Sequence, residues 1–102
     1  MNGEEKLIIS QSRDDRDTVI LSLSGDLDIQ TAQQLRNFID KHIQEGNTNL
    51  KFDLSKLSYL DSSGYGVLVD ASRRTQITQG KVDLANMPPW MTDFFDMSAL
   101  ER

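Results

Sequence analysis

The feature that most constrains the fold of this chain is a repeated change of apolar period, from every second residue to every third or fourth and back again. Residues alternate across a strand but recur at about 3.6 positions on a helix, so the changes mark out elements directly. Leu7 to Ser10 and Thr18 to Leu23 are rich in Ile, Val and Leu, with the polar stretch Arg13-Asp14-Asp15-Arg16-Asp17 between them. This reads as two strands joined by an exposed turn. In the second, Val19, Leu21 and Leu23 share a face while Ile20 points the other way, and Gly25 is expected to break the run.

The spacing then predicts a helix over residues 29–45. Ala32, Leu35, Phe38, Ile39 and Ile43 form its stripe, Asp28 stands at the N-cap and Gly46 closes the far end. His42 lies on this helix with no second imidazole or thiolate near it in sequence, and is expected to be exposed and structurally minor. Leu50, Phe52 and Leu54 give a third strand, after which Leu57, Tyr59 and Leu60 make an apolar approach to Asp61. From about Ser63 the period is helical again, with Gly64, Val67, Leu68, Ala71 and Thr75 on a narrow packing face. Gly64 and Gly66 each lower helix propensity by roughly 1 kcal/mol relative to Ala. A close approach to sheet, partner or ligand would explain them. Gly80 is expected to stop this helix, Lys81 to Ala85 to form a fourth strand, and Pro88-Pro89 to open a last helix carrying Trp90, Met91, Phe94, Phe95 and Met97. So apolar a helix is expected to cover the sheet's other face. Helices inserted between the later strands imply parallel pairing through right-handed crossovers, hence an α/β fold with a mixed sheet.

Composition narrows the function. At 102 residues the chain is expected to be one domain, 1–102. With 11 basic against 16 acidic residues it carries a net charge of -5, which repels phosphate backbones and anionic lipid heads. Neither nucleic acid nor a membrane is an expected partner. The absence of cysteine removes disulfides, thiolate catalysis and sulfur-ligated zinc. No apolar run approaches the roughly 20 residues of a membrane span, and Met1-Asn2-Gly3-Glu4-Glu5 lacks the pattern of a signal peptide, so the protein is expected in the cytoplasm.

Two constellations could carry chemistry. Asp61-Ser62-Ser63-Gly64 lies where a strand feeds a helix, so a hydroxyl there sits beside unpaired backbone donors and the positive end of the helix dipole. A phosphate on it would be partly stabilised by the protein itself. The plainer reading is capping, since Asp and Ser both serve as N-caps. No base is near in sequence to activate a serine nucleophile, so the chain is not expected to be an enzyme. In Gly25-Asp26-Leu27-Asp28 two carboxylates meet at a strand-to-helix junction. They could hold magnesium, but no glycine-rich nucleotide loop accompanies them, and the plainer reading is capping by Asp28 and solvation of Asp26. No cofactor or metal is expected.

The chain resembles the anti-sigma factor antagonists, small STAS domains. The likeness is carried by Gly25-Asp26-Leu27-Asp28 with Thr31-Ala32, by Leu50-Lys51-Phe52-Asp53-Leu54 with Leu57-Ser58-Tyr59-Leu60, above all by Asp61-Ser62-Ser63-Gly64-Tyr65-Gly66, and near the end by Phe95-Asp96-Met97-Ser98-Ala99-Leu100. It implies a STAS-like single domain, with a mixed four- to five-stranded sheet covered by helices on one side. It also implies partner switching. The unmodified protein would bind an anti-sigma factor that is also a serine kinase of the GHKL type, and so release a sigma factor. The kinase would phosphorylate Ser62, or failing that Ser63, and a metal-dependent serine phosphatase would reverse it. Asp28, Asp61, Ser62, Ser63, Gly64 and Tyr65 would border the partner surface. Tyr65 departs from the family's usual leucine, and could set specificity or pack beside the second helix. The end at Arg102 is a second departure, since relatives usually continue through another short strand or tail; the chain is either natively short or trimmed. A STAS module scaffolding a signalling complex is the rival reading.

Overall fold

The computed structural model describes residues 5–96 and the side chains of residues 5–92. Seven elements follow in order: β1 (Leu7–Arg13), β2 (Val19–Leu27), α1 (Ala32–Gln44), β3 (Asn49–Leu60), α2 (Ser62–Ile77), β4 (Lys81–Ala85) and α3 (Pro89–Asp96). The four strands make one sheet in the order β1-β2-β3-β4, with β1 antiparallel to β2 and the rest parallel. Both crossovers, β2-α1-β3 and β3-α2-β4, step in the same direction. With the right-handed preference of such units, that places α1 and α2 on one face. The core lies there: Leu21, Leu23 and Leu27 of β2, Leu50, Phe52 and Leu54 of β3, Leu35 and Ile39 of α1, and Val67, Leu68 and Ala71 of α2 are all buried.

β1 runs past its expected end at Ser10 because its inward positions turn polar. Gln11 takes the place of an apolar side chain, and no hydrophobic period marks the continuation. The hairpin to β2 closes through Asp14, whose Oδ1 accepts from the amides of Arg16 and Thr18. Asp17 adopts the left-handed conformation there (φ 65°).

Gly25 does not break β2, which continues to Leu27 with Gly25 at φ 112°. The glycine is required by proximity. A Cβ at this position would lie 2.1 Å from the Lys6 carbonyl oxygen, which accepts from the Asp26 amide at 2.7 Å. β3 likewise takes in the apolar approach up to Leu60. Its pairing with β2 slips twice, between Ser22 and Ser24 and between Gly25 and Asp26, each time with one extra residue on β3. Each bulge delays the next inward position by one residue. The buried set therefore reads Leu50, Phe52, Leu54, then Leu57 and Leu60.

α1 begins at Ala32 with Thr31 as N-cap, not at Asp28. Asp28 acts one turn earlier, its Oδ1 accepting from the amides of Gln30 (2.9 Å) and Thr31 (3.1 Å). At the other end Gly46 (φ 89°) closes the helix, with the Asn47 amide donating to the His42 carbonyl. His42, expected to be exposed, is 2% exposed. Its Nε2 donates to Gln11 Oε1 at 3.0 Å and its Nδ1 accepts from Asn47 Nδ2 at 3.1 Å. Burial holds its pKa below the ordinary imidazole value. The polar position in β1 and the polar position in α1 complete one another.

On α2 the buried residues are the expected Gly64, Val67, Leu68, Ala71 and Thr75. The helix stops before Gly80: Gln79 takes the left-handed conformation (φ 65°) and the Gly80 amide donates to the Thr75 carbonyl. Gly80 answers to crowding, because a Cβ would sit 1.9 Å from the Thr48 carbonyl oxygen. α3 was expected over the sheet's other face. Met91 instead is fully buried in the cluster shared with α1 and α2, while Trp90 is 44% exposed. The side chains of Phe94 and Phe95, and Met97 with the rest of the terminal motif, lie outside the described residues. Among the described residues, the face opposite the helices carries a concavity of ≈ 300 Å³ lined by Ile8, Ser10, Ser22, Leu23, Ser24, Asp53, Ser55 and Lys56.

Candidate functional site

β2 and β3 end in register, Leu27 beside Leu60, so the residues that follow them, Asp28 and Asp61, emerge side by side from adjacent strands. The Asp61 amide donates to the Leu27 carbonyl at 3.3 Å and joins the two exits. Asp61 is the N-cap of α2, its Oδ1 accepting from the Gly64 amide at 3.0 Å. Ser62 and Ser63 are therefore the first two residues of the helix, where backbone amides are unpaired and the dipole favours negative charge. Ser62 is exposed and Ser63 half-buried.

Gly64 is buried and held against the sheet. A Cβ there would lie 2.6 Å from both Leu27 Cγ and the Leu27 carbonyl oxygen, and 3.0 Å from Leu60 Cδ1. The first turn of α2 thus rests on the end of β2, and no residue larger than glycine fits at that spacing. Gly66 meets nothing within 4 Å and is exposed, one turn above Ser62 on the same side of the helix. Close approach to the sheet accounts for the first glycine alone. Tyr65 is half-buried and packs on the core, which supports packing beside the second helix for its ring.

Asp28 is 8% exposed and fully bonded. Its Oδ1 takes the two turn amides, and its Oδ2 accepts from Lys6 Nζ at 2.5 Å. The Lys6 ammonium and those amides hold the carboxyl below its ordinary range against the opposing effect of burial. Lys6 Nζ also donates to Gln30 Oε1 at 2.7 Å. With one oxygen on amides and the other on an ammonium, Asp28 does not offer a magnesium ion the open oxygens it needs. The chain's one histidine is committed to Gln11 and Asn47 on the far end of α1, so no imidazole serves Ser62 as a base.

Three residues of this end stand outside the expected partner surface. Lys6 stands outside every motif, and only the ion pair reveals it. Ile29 is 75% exposed in the β2-α1 turn and Tyr59 is 50% exposed beside Asp26. An apolar residue just past Asp28 and an aromatic off the strand's alternation were the available signals. With Ser62 and Gly66 they give the sheet end a mixed apolar and hydroxyl surface, the make-up of a protein-docking patch.

Comparisons with known proteins bear on the family and the fold. The family described as "Mlab, STAS domain" matches residues 10–102. The anti-sigma F factor antagonist of Lysinibacillus sphaericus is 35% identical over 86 residues, covering 83% of this chain and 74% of that protein. The anti-sigma-B factor antagonist of Bacillus subtilis is 27% identical over 81 residues, 79% of this chain and 73% of its own length. Among solved structures, Bacillus SpoIIAA in its phosphorylated form superposes with a TM-score of 0.76 at 30% identity, covering 92% of this chain and 86% of that one. An anti-sigma factor antagonist from Mycobacterium paratuberculosis gives 0.81 at 21% identity, over 93% and 80%, a likeness of fold. With its sheet order, its helices on one face and its serine pair after a capping aspartate, the chain belongs to the STAS domain family, among the anti-sigma factor antagonists.

Proposed function

We propose that this chain is a partner switch controlled at Ser62. Unmodified, it docks through the end of the sheet on an anti-sigma factor that is also a serine kinase of the GHKL type, and a sigma factor is released. The kinase moves the γ-phosphoryl group of ATP to Ser62 Oγ; the hydroxyl loses its proton, the new P–O bond forms and ADP leaves. A metal-dependent serine phosphatase hydrolyses the ester and restores binding. The chain supplies an acceptor and a surface, not catalysis. Asp28, Asp61, Ser63, Gly64 and Tyr65 border that surface, and Ser63 is the alternative acceptor.

The observation that carries the reading is the exposure of Ser62 at the first position of α2, directly after its capping aspartate. A phosphoester there adds about 1.5 to 2 negative charges at neutral pH. Free in solution the ester is tolerated, because the helix N-terminus favours it. Docked, it must be desolvated beside Asp61 and near Asp28. A penalty of about 3 kcal/mol corresponds to about two decades of affinity.

The test is to mix the protein with candidate kinases and ATP and locate the phosphate by mass spectrometry. It is expected on Ser62. Ser62→Asp should weaken kinase binding about a hundredfold, and Ser62→Ala should bind without being modified. Phosphate on neither Ser62 nor Ser63, or equal affinity of wild type and Ser62→Asp, refutes the proposal.

A further inference from the structure

Lys6 is fixed at its root and reaches solvent along its side chain. Its carbonyl is pinned by the Asp26 amide at the place where Gly25 lacks a Cβ, yet its side chain is 45% exposed. The ammonium bridges Asp28 Oδ2 and Gln30 Oε1 and so fastens the loop between β2 and α1 across the start of β1. Asp28, which holds it, and Asp61 follow the paired ends Leu27 and Leu60 of β2 and β3, the Asp61 amide donates to the Leu27 carbonyl, and Asp61 immediately precedes Ser62. The ion pair and the proposed acceptor therefore share one electrostatic neighbourhood.

Resting on the reading of Ser62 as the modified residue, we propose that Lys6 is a charge latch on the β2-α1 loop, and that a dianionic phosphate on Ser62 draws the ammonium away from Asp28 and loosens the loop. A dianion competes effectively with a single carboxylate for a lysine that has only to swing on its flexible stem. Once Lys6 leaves, Asp28 loses its cation, its hold on the Gln30 and Thr31 amides weakens, and Gln30 loses its tie to Lys6. Ile29, three-quarters exposed in that turn, is then no longer presented in a fixed position. Phosphorylation would thus alter the shape of the docking surface as well as its charge.

The experiment installs phosphoserine at position 62 of the full chain during translation, without any kinase. The phosphate is titrated by phosphorus NMR in wild type, Lys6→Met and Lys6→Arg, and amide hydrogen exchange is followed at Gln30 and Thr31. An ammonium drawn into contact with the phosphate, about 4 Å away in a water-like medium, displaces an acid dissociation by about 0.7 pH unit, so the phosphate of Lys6→Met should titrate higher by about that much. Lys6→Arg should titrate like wild type. Exchange at Gln30 and Thr31 should quicken several-fold on phosphorylation, and by a similar factor in unphosphorylated Lys6→Met. Identical titration curves in wild type and Lys6→Met, or exchange unchanged by phosphorylation, overturn the latch. Failure of the switch itself reads differently, as a kinase modifying some other residue in the mass-spectrometry experiment.

Discussion

Gly64 and Gly66 lie two residues apart in one helical turn, and alanine at the two positions should act with opposite sign. In both cases Ala raises helix propensity by about 1 kcal/mol. At Gly66 the added methyl meets nothing within 4 Å, so most of that gain remains and the variant should be more stable by about 0.5 to 1 kcal/mol. For a domain of this size the midpoint should rise by about 2 to 8 °C. At Gly64 the methyl would lie 2.6 Å from a carbonyl oxygen that already accepts from the Asp61 amide, and 2.6 Å from the Cγ of the fully buried Leu27. Neither can withdraw without shifting the end of β2. Overpacking of this kind costs about 3 kcal/mol, and the propensity gain leaves a net loss of about 2 kcal/mol. Urea unfolding followed by circular dichroism measures both, with unchanged m-values showing that stability alone has moved. A Gly64→Ala protein as stable as wild type, or shifts of the same sign at both sites, would refute the assignment of close approach to one glycine only.

The other expectations concern single contacts. His42 is buried with its Nδ1 facing a donor amide whose orientation is set by Arg13 on Asn47 Oδ1, and burial lowers its pKa while Glu45 opposes and Arg13 and Lys41 add to the shift. The unfolded chain then takes up the proton first as pH falls below the ordinary imidazole value of 6.5, so stability should drop below that pH, by at most about 1.4 kcal/mol per pH unit. Urea midpoints measured down to about pH 5 should show this slope in wild type and not in His42→Gln, whereas Asp14, Asp28 and Asp53, all held low, lose their contributions only below about 3.8. Equal slopes would rule the histidine out. Gln79→Gly should gain about 0.5 to 1 kcal/mol in thermal unfolding by relieving a left-handed residue, while Gly80→Ala should lose about 3 kcal/mol against the Thr48 carbonyl. Asp61→Ala should lose about 1 kcal/mol through the missing cap, and Asp61→Asn much less.

Most of the architecture was legible because apolar period reports burial. The inward face of α2 and the alternation of β2 match the structure residue by residue. Failures cluster where a polar side chain is buried or backbone approaches backbone. Gln11 and His42 satisfy each other across the interface between β1 and α1, and neither signals this alone. Gly25 looks like a breaker, yet its φ and its closeness to Lys6 suit a strand interior. In β3 the spacing of Leu54, Leu57 and Leu60 by threes records two bulges, which a rigid two-residue template misreads as the strand's end. At the site, Asp61 and the serines are placed by local capping chemistry and were readable. Lys6 meets Asp28 across 22 positions of sequence, and nothing local foretells that contact.

The four strands lie side by side in the order in which the chain supplies them. Each new strand needs only the one before it as a template, so assembly can proceed stepwise as the polypeptide leaves the ribosome, without waiting for a distant partner. The same arrangement grades the molecule's resilience from middle to margin. β4, five residues long and paired among the described residues with β3 alone, can peel away with α3 while the central strands hold, and its amides should lose protection at a lower opening free energy than those of β2.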